Sequence, residues 1–381
     1  MDFDLNDEQR LLKDSVERLI ADRYGFEQRK QYAKSHDGWS HELWAQYAEL
    51  GLLGLPFAEQ YGGFGGGPTE TMIVMEAFGR GLVLEPYFAT VVLGGGLLRH
   101  AGSEAQKSRL LAEIGGGKRL LAFAQAERQS RWDLADIATT ARRDGVGWRL
   151  EGEKSLVLHG DCVDTLIVSA RIEGGRRDRD GIGLFLIDAG ANNVARRGYS
   201  TQDGLRAAEI SFSGAWAEDV LGTPGRMLPV IERVVDEAIA ALCAEAIGVM
   251  SAMHELTVDY LKTRKQFGRA IGEFQVLQHR AVDMLVALEQ ARSMALFATM
   301  MAADDDAAER HRAMAAAKVQ IGRSGRLVGQ EAIQLHGGMG MTMEYKVGHH
   351  FKRMTMLELM FGDTDTHLAA LAAMGGLIGT A

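Results

Sequence analysis

The chain has 381 residues, 46% apolar, 24% charged and 7% aromatic, enough core-forming material to exclude a disordered or collagen-like polypeptide. Its 42 Lys and Arg stand against 51 Asp and Glu, and a net charge of −9 argues against a nucleic-acid binder. The 2 cysteines, Cys162 and Cys243, supply neither a disulfide framework nor a four-thiolate metal site and fit a reducing, cytoplasmic compartment.

The length is a prior for two or three domains, and 46 Gly with only 5 Pro favour long unbroken helices separated by glycine turns. The amino-terminal stretch has no basic run followed by an apolar one, so no signal peptide is read. Residues 1–118 read as an α-helical domain. Asn6 is placed to cap a helix in a reciprocal box with Gln9, and Val16, Leu19 and Ile20 fall on one face. The run Tyr61 to Pro68 is a turn between helices, because no strand precedes it and no Lys-Ser/Thr follows as a phosphate loop requires.

From 119 to 226 the apolar period drops to two. Trp148–Glu151, Leu156–Leu158, Thr165–Val168, Gly183–Ile187 and Ala208–Phe212 read as short strands of a β-sandwich or barrel-like domain. The charged stretch Glu173 to Asp180 reads as a solvated hairpin loop. From 227 to 381 four helical runs follow, near 228–264, 273–303, 306–336 and 350–376, as in a four-helix bundle. Pro229 falls in the first turn, where its missing N–H is harmless. Residues 282–303 are the most apolar helical stretch, but Asp283, Glu289, Gln290 and Arg292 argue against a membrane span. The class is α+β, in the order α, β, α.

Two segments carry possible chemistry. In Arg264 to Gln275, a guanidinium, the Phe267 ring and the Gln275 amide lie in a glycine-opened loop; the set can grip a dinucleotide diphosphate or simply connect two helices. In Gln334 to Met341, Gly337 can end a helix, and Gly338 and Gly340 exceed what capping needs. Asp363, Asp365 and His367 read as an acidic helix start rather than a metal site. The 18 methionines read as adaptable core filler.

Taken together, Arg264-x-x-Phe267-Gly268, Gln334-x-x-Gly337-Gly338-x-Gly340, the Tyr61-Gly62-Gly63 turn and Glu76 to Gly79 resemble the acyl-CoA dehydrogenase family along nearly the whole chain. The resemblance implies an FAD enzyme that removes hydrogens from Cα and Cβ of an acyl-CoA thioester and passes electrons to an electron-transferring flavoprotein. It further implies that Arg264, Phe267, Gln275, Gln334, Gly337, Gly338 and Gly340 contact the ADP half of a neighbouring subunit's FAD.

The chain also departs from the family. Ala126 to Asp133 keeps only Glu127 and Asp133 of a Thr-Glu-Pro-Gly-x-Gly-Ser-like loop, and Leu156 and Leu158 replace a flavin-facing tryptophan and threonine. Phe361 falls on the position of the usual catalytic glutamate, and Ala238 on its alternative position. Asp363 and Glu237 are therefore the nearest candidate bases. These losses resemble the small subunit of pimeloyl-CoA dehydrogenase-type heteromeric enzymes, which implies a homologous catalytic partner in a mixed tetramer. The rival readings are a self-sufficient homotetramer, a structural subunit that binds no nucleotide, and a flavin oxidase on the same scaffold.

Overall fold

The computed structural model describes residues 5–217 and 219–375. The helices are α1 (Asp7–Arg23), α2 (Phe26–Ala33), α3 (His41–Glu49), α4 (Pro68–Gly81), α5 (Gly95–Ala101), α6 (Glu104–Gln106) and α7 (Ala112–Gly115). After the strands come α8 (Leu228–Thr263), α9 (Gln275–Met301), α10 (Ala307–His336), α11 (Lys346–Leu359) and α12 (Thr364–Ala373). Packing groups the chain differently from three consecutive segments. One unit joins residues up to 31 and 68–83 to everything from 239 onward; the other joins 32–67 to 84–238.

In the helical unit, α1 starts as its sequence predicts. Gln9 N donates to Asn6 Oδ1 at 2.8 Å, and Asn6 N donates to Gln9 Oε1 at 3.1 Å. Helices α4 and α8 touch backbone to backbone through Gly79 and Gly248. A Cβ on either would overlap a carbonyl oxygen of the facing helix, that of Glu245 or Glu76. Glu245 on α8 is held bidentately by Arg353 on α11, at 2.6 and 2.7 Å, with both side chains 7% exposed.

The fourth expected helical run is two helices. It starts earlier, at Lys346, and breaks at 360–363, where Phe361 and Gly362 have φ of 56° and 112° and Asp363 caps α12. The break is fixed by Lys318, a buried lysine on α10 that donates to the carbonyls of Leu357, Glu358 and Met360 at 2.8–3.0 Å. An ammonium at a helix carboxyl end satisfies carbonyls that have no partner within the helix.

In the other unit, an eight-stranded sheet is built from β1 (Leu121–Ala124), β2 (Thr140–Asp144), β3 (Gly147–Leu158), β4 (Thr165–Arg171), β5 (Ile182–Asp188), β6 (Val194–Ser200), β7 (Arg206–Ala217) and β8 (Val220–Leu221). The order is β6-β7-β3-β2-β4-β5-β8, with β1 beside β4. Leu150 and Val157, read as parts of two strands, lie on the single strand β3, which changes register against β7 between Lys154 and Val157. The charged loop after β4 is a hairpin loop, but it is anchored. Arg171 is buried and donates to the carbonyls of Ala135, Arg176, Asp178 and Asp180, while Arg177 Nε meets the buried Asp136 at 2.8 Å.

Candidate nucleotide-binding edge

Arg264 follows the last residue of α8 and opens a small hairpin, β9 (Lys265–Gln266) and β10 (Arg269–Ala270). Its turn residues, Phe267 and Gly268, both have left-handed φ, 54° and 79°, the geometry of a primed two-residue turn. Such a conformation is uncomfortable for phenylalanine. Here it places the ring 90% in solvent, touching only the edge of Phe274 at 6.1 Å. Arg264 is exposed, and its guanidinium pairs with no carboxylate among the described residues. Gln275 is the exposed first residue of α9, whose amino end carries no side-chain cap.

The second segment ends α10 at the same end of this unit. Tyr260 on α8 stacks on His336 at 4.6 Å, and His336 packs on Tyr345 at 5.1 Å. This aromatic cluster ties the Arg264 turn to the glycine turn. Gln334 is exposed, and Gly337, with φ 58°, ends the helix. A Cβ on Gly337 or Gly338 would meet nothing within 4 Å, so the backbone there is open to an incoming group. Gly340 needs a correction. It is buried against the Ile333 carbonyl of its own helix, so chain packing accounts for its lack of a side chain.

Neither candidate base stands ready. Glu237 is paired with Arg99, lies 2.8 Å from His100 Nε2, and accepts from Arg233 Nε at 3.0 Å. Burial pushes its carboxyl up, but His100, Arg99 and Arg233 outweigh burial and hold it at about 2. A carboxylate so engaged is a poor proton acceptor, which corrects its candidacy. Asp363 accepts from Thr366 N at 2.8 Å as the cap of α12, and the Thr366 hydroxyl and N–H hold its carboxyl below the usual range. Its chemistry is explained by helix capping. Leu156, 44% exposed at φ 51°, and Leu158 offer no hydrogen bond where the resemblance puts flavin contacts.

Residues 6–118, 122–215 and 228–375 match the N-terminal, middle and C-terminal domains of acyl-CoA dehydrogenases. The acyl-CoA dehydrogenase FadE12 of Mycobacterium tuberculosis strain H37Rv is 30% identical over 353 residues, covering 90% of this chain and 89% of that protein. The chain belongs to the acyl-CoA dehydrogenase family. Among solved structures, the Tcur3481-Tcur3483 steroid dehydrogenase superposes with a TM-score of 0.87 at 28% identity, covering 97% of each chain. The FAD complex of PigA superposes at 0.88 with 26% identity, covering 98% of each. The α, β, α organisation expected from the sequence is that of this oxidoreductase family.

FAD is the cofactor of such enzymes, and the carboxy-terminal edge fits part of it. Arg264 offers forked donors without an internal acid, Gln275 an uncapped helix start, and Gly337 and Gly338 bare backbone. Two buried lysines were missed by sequence reading. Lys154 donates to Glu127, Gln125 O and Ser169 Oγ at 2.7, 3.0 and 3.1 Å, which explains why Glu127 persists in an otherwise altered loop. Its inward parity with Leu150 on β3 was the available signal. Lys318 likewise sits on the buried stripe Met314, Ile321, Val328 of α10.

Proposed function

We propose that this chain serves α,β-dehydrogenation of an acyl-CoA thioester as the subunit that lends contacts to the ADP half of FAD, in a mixed assembly with a homologous catalytic chain. The supporting observation is an asymmetry. Arg264, Gln275, Gln334, Gly337 and Gly338 are open and unspent, whereas Leu156, Leu158, Phe361, Glu237 and Asp363 provide neither a flavin hydrogen bond nor a free base. Exposed Phe267, Val276, Val282 and Val286 beside these donors form an apolar surface of the kind a subunit interface covers.

In this reading, Arg264 neutralises diphosphate charge, Phe267 walls the nucleotide, and Gln275 and Gln334 hydrogen-bond it while Gly337 and Gly338 admit close approach. FAD, when bound, supplies the acceptor for the hydrogen leaving Cβ; the proton at Cα goes to a base on the partner. An electron-transferring flavoprotein is the proposed acceptor, and a dicarboxylyl-CoA or related thioester the proposed substrate class. The divisions at 118 and 226 are retained as proposed boundaries, supported by the gaps between the matched spans. No helix among the described residues is long and apolar enough to cross a membrane; the cytoplasm remains the proposed site from cysteine content.

The visible spectrum of the purified chain, alone and with its partner, tests this. The chain alone should be colourless, the assembly yellow, and Arg264→Ala should lower the assembly's flavin content. A stoichiometric flavin with turnover in the chain alone would instead establish the self-sufficient enzyme, and an Arg264→Ala assembly with full flavin would establish a purely structural subunit.

A further inference from the structure

The methionines divide sharply. Met250, Met253, Met284 and Met314 are 0% exposed, as core filler should be, whereas Met339, Met341 and Met343 are 44, 77 and 57% exposed between α10 and α11. The segment is ordered by its own hydrogen bonds: Thr342 Oγ1 donates to Met339 O at 3.1 Å, and His349 Nε2 lies 3.1 Å from Met343 O. Met343 differs from its two neighbours in one respect. The Lys352 ammonium on α11 donates to its sulfur at 3.3 Å.

A thioether keeps a second lone pair when one accepts a hydrogen bond, so the Met343 sulfur is open to an electrophilic oxygen with a proton donor beside it. We propose that Met343 and Lys352 form a peroxide-reactive pair, a reversible modification site for hydrogen peroxide on the edge that carries Gly337 and Gly338. The Sδ lone pair attacks one peroxide oxygen, forming the S–O bond and breaking the O–O bond. The departing oxygen takes a proton from Lys352 and leaves as water. The S–OH proton then returns to Lys352 as the sulfoxide forms. Sulfur loses two electrons and peroxide gains them. The ammonium assists by meeting charge that develops on the leaving oxygen, and afterwards it donates to the sulfoxide, a far better acceptor than the thioether. The product puts a polar, chiral group on an apolar edge.

The test is a time course of the full chain in hydrogen peroxide, read by peptide mass mapping. Met343 should convert faster than Met341 although it is less exposed, and about tenfold faster than Met250 or Met314, with acid assistance supplying the advantage. Lys352→Leu should drop Met343 below Met341 without changing the rate at Met341. Wild-type Met343 converting no faster than Met341 overturns the proposal, as does an order of reaction that Lys352→Leu leaves intact. Met341 serves as an internal control, because a variant that loosened the whole segment would accelerate both. The outcome does not depend on whether this edge binds FAD.

Discussion

Lys154→Met removes the ammonium from a buried cluster while keeping the length of the side chain. Lys154 is 1% exposed and Glu127 5%, so water cannot replace the lost charge. Glu127 keeps the N–H groups of Ala138 and Thr139 at 2.8 and 3.0 Å and the Gln129 amide at 2.7 Å. What remains is a buried carboxylate with neutral donors only, and breaking such a pair costs about 3–5 kcal/mol. Losing the bonds to Gln125 O and Ser169 Oγ adds about 1 kcal/mol. Urea denaturation at neutral pH should therefore show a loss of about 4–6 kcal/mol. The pH dependence carries the stronger test. In the native chain burial pushes the Glu127 carboxyl up, but Lys154 and the hydrogen bonds outweigh burial and hold it at about 2, against an ordinary 4.5. Its stabilisation is thus complete above the ordinary value and is lost as pH falls through the folded one. Without Lys154 burial prevails, the carboxyl rises, and protonation relieves the variant. The difference between the two proteins should narrow steadily as pH drops from about 7 to about 3. A loss below about 1 kcal/mol, or one that does not change with pH, would refute the account of this pair.

Other outcomes follow from the same geometry. Gly248→Ala should destabilise the chain by about 2 kcal/mol in thermal or urea melts despite alanine's better helix propensity, because its methyl collides with rigid backbone at Glu76. Glu237→Gln should flatten the acid limb of the stability curve, since the folded carboxyl at about 2 contributes stability above 4.5 that disappears as pH falls through its folded value. Asp363→Ala should cost about 1 kcal/mol by uncapping α12, and assembly turnover should change little; a collapse of turnover with the fold intact would mark Asp363 as a base after all.

The sequence carried the order of classes and the first helix cap because those depend on local periodicity and on two side chains three residues apart. It also marked the Arg264 and Gln334 segments, whose residue types exceed what connecting turns require. It did not disclose the break at 360–363. That interruption depends on Lys318, more than forty residues upstream, receiving three carbonyls. Nor did it distinguish Gly340 from Gly337 and Gly338, because a glycine that makes room for its own chain looks identical in a sequence to one that makes room for a ligand. Glu237 kept its appearance as a base until Arg99, from a helix well over a hundred residues earlier, was found against it. The weave of the middle domain was similarly hidden. Arg-rich β6 has little apolar alternation because it is an exposed edge strand.

The ammonium of Lys318 also constrains how this gene can change over time. Inserting one residue within α11 would rotate its end by about 100° and carry the three carbonyls away from the cation. The loop at Thr342 to Tyr345 has no such tether to α10's interior, so length variation among descendants should accumulate there, while the interval from Lys346 to Met360 keeps a constant count.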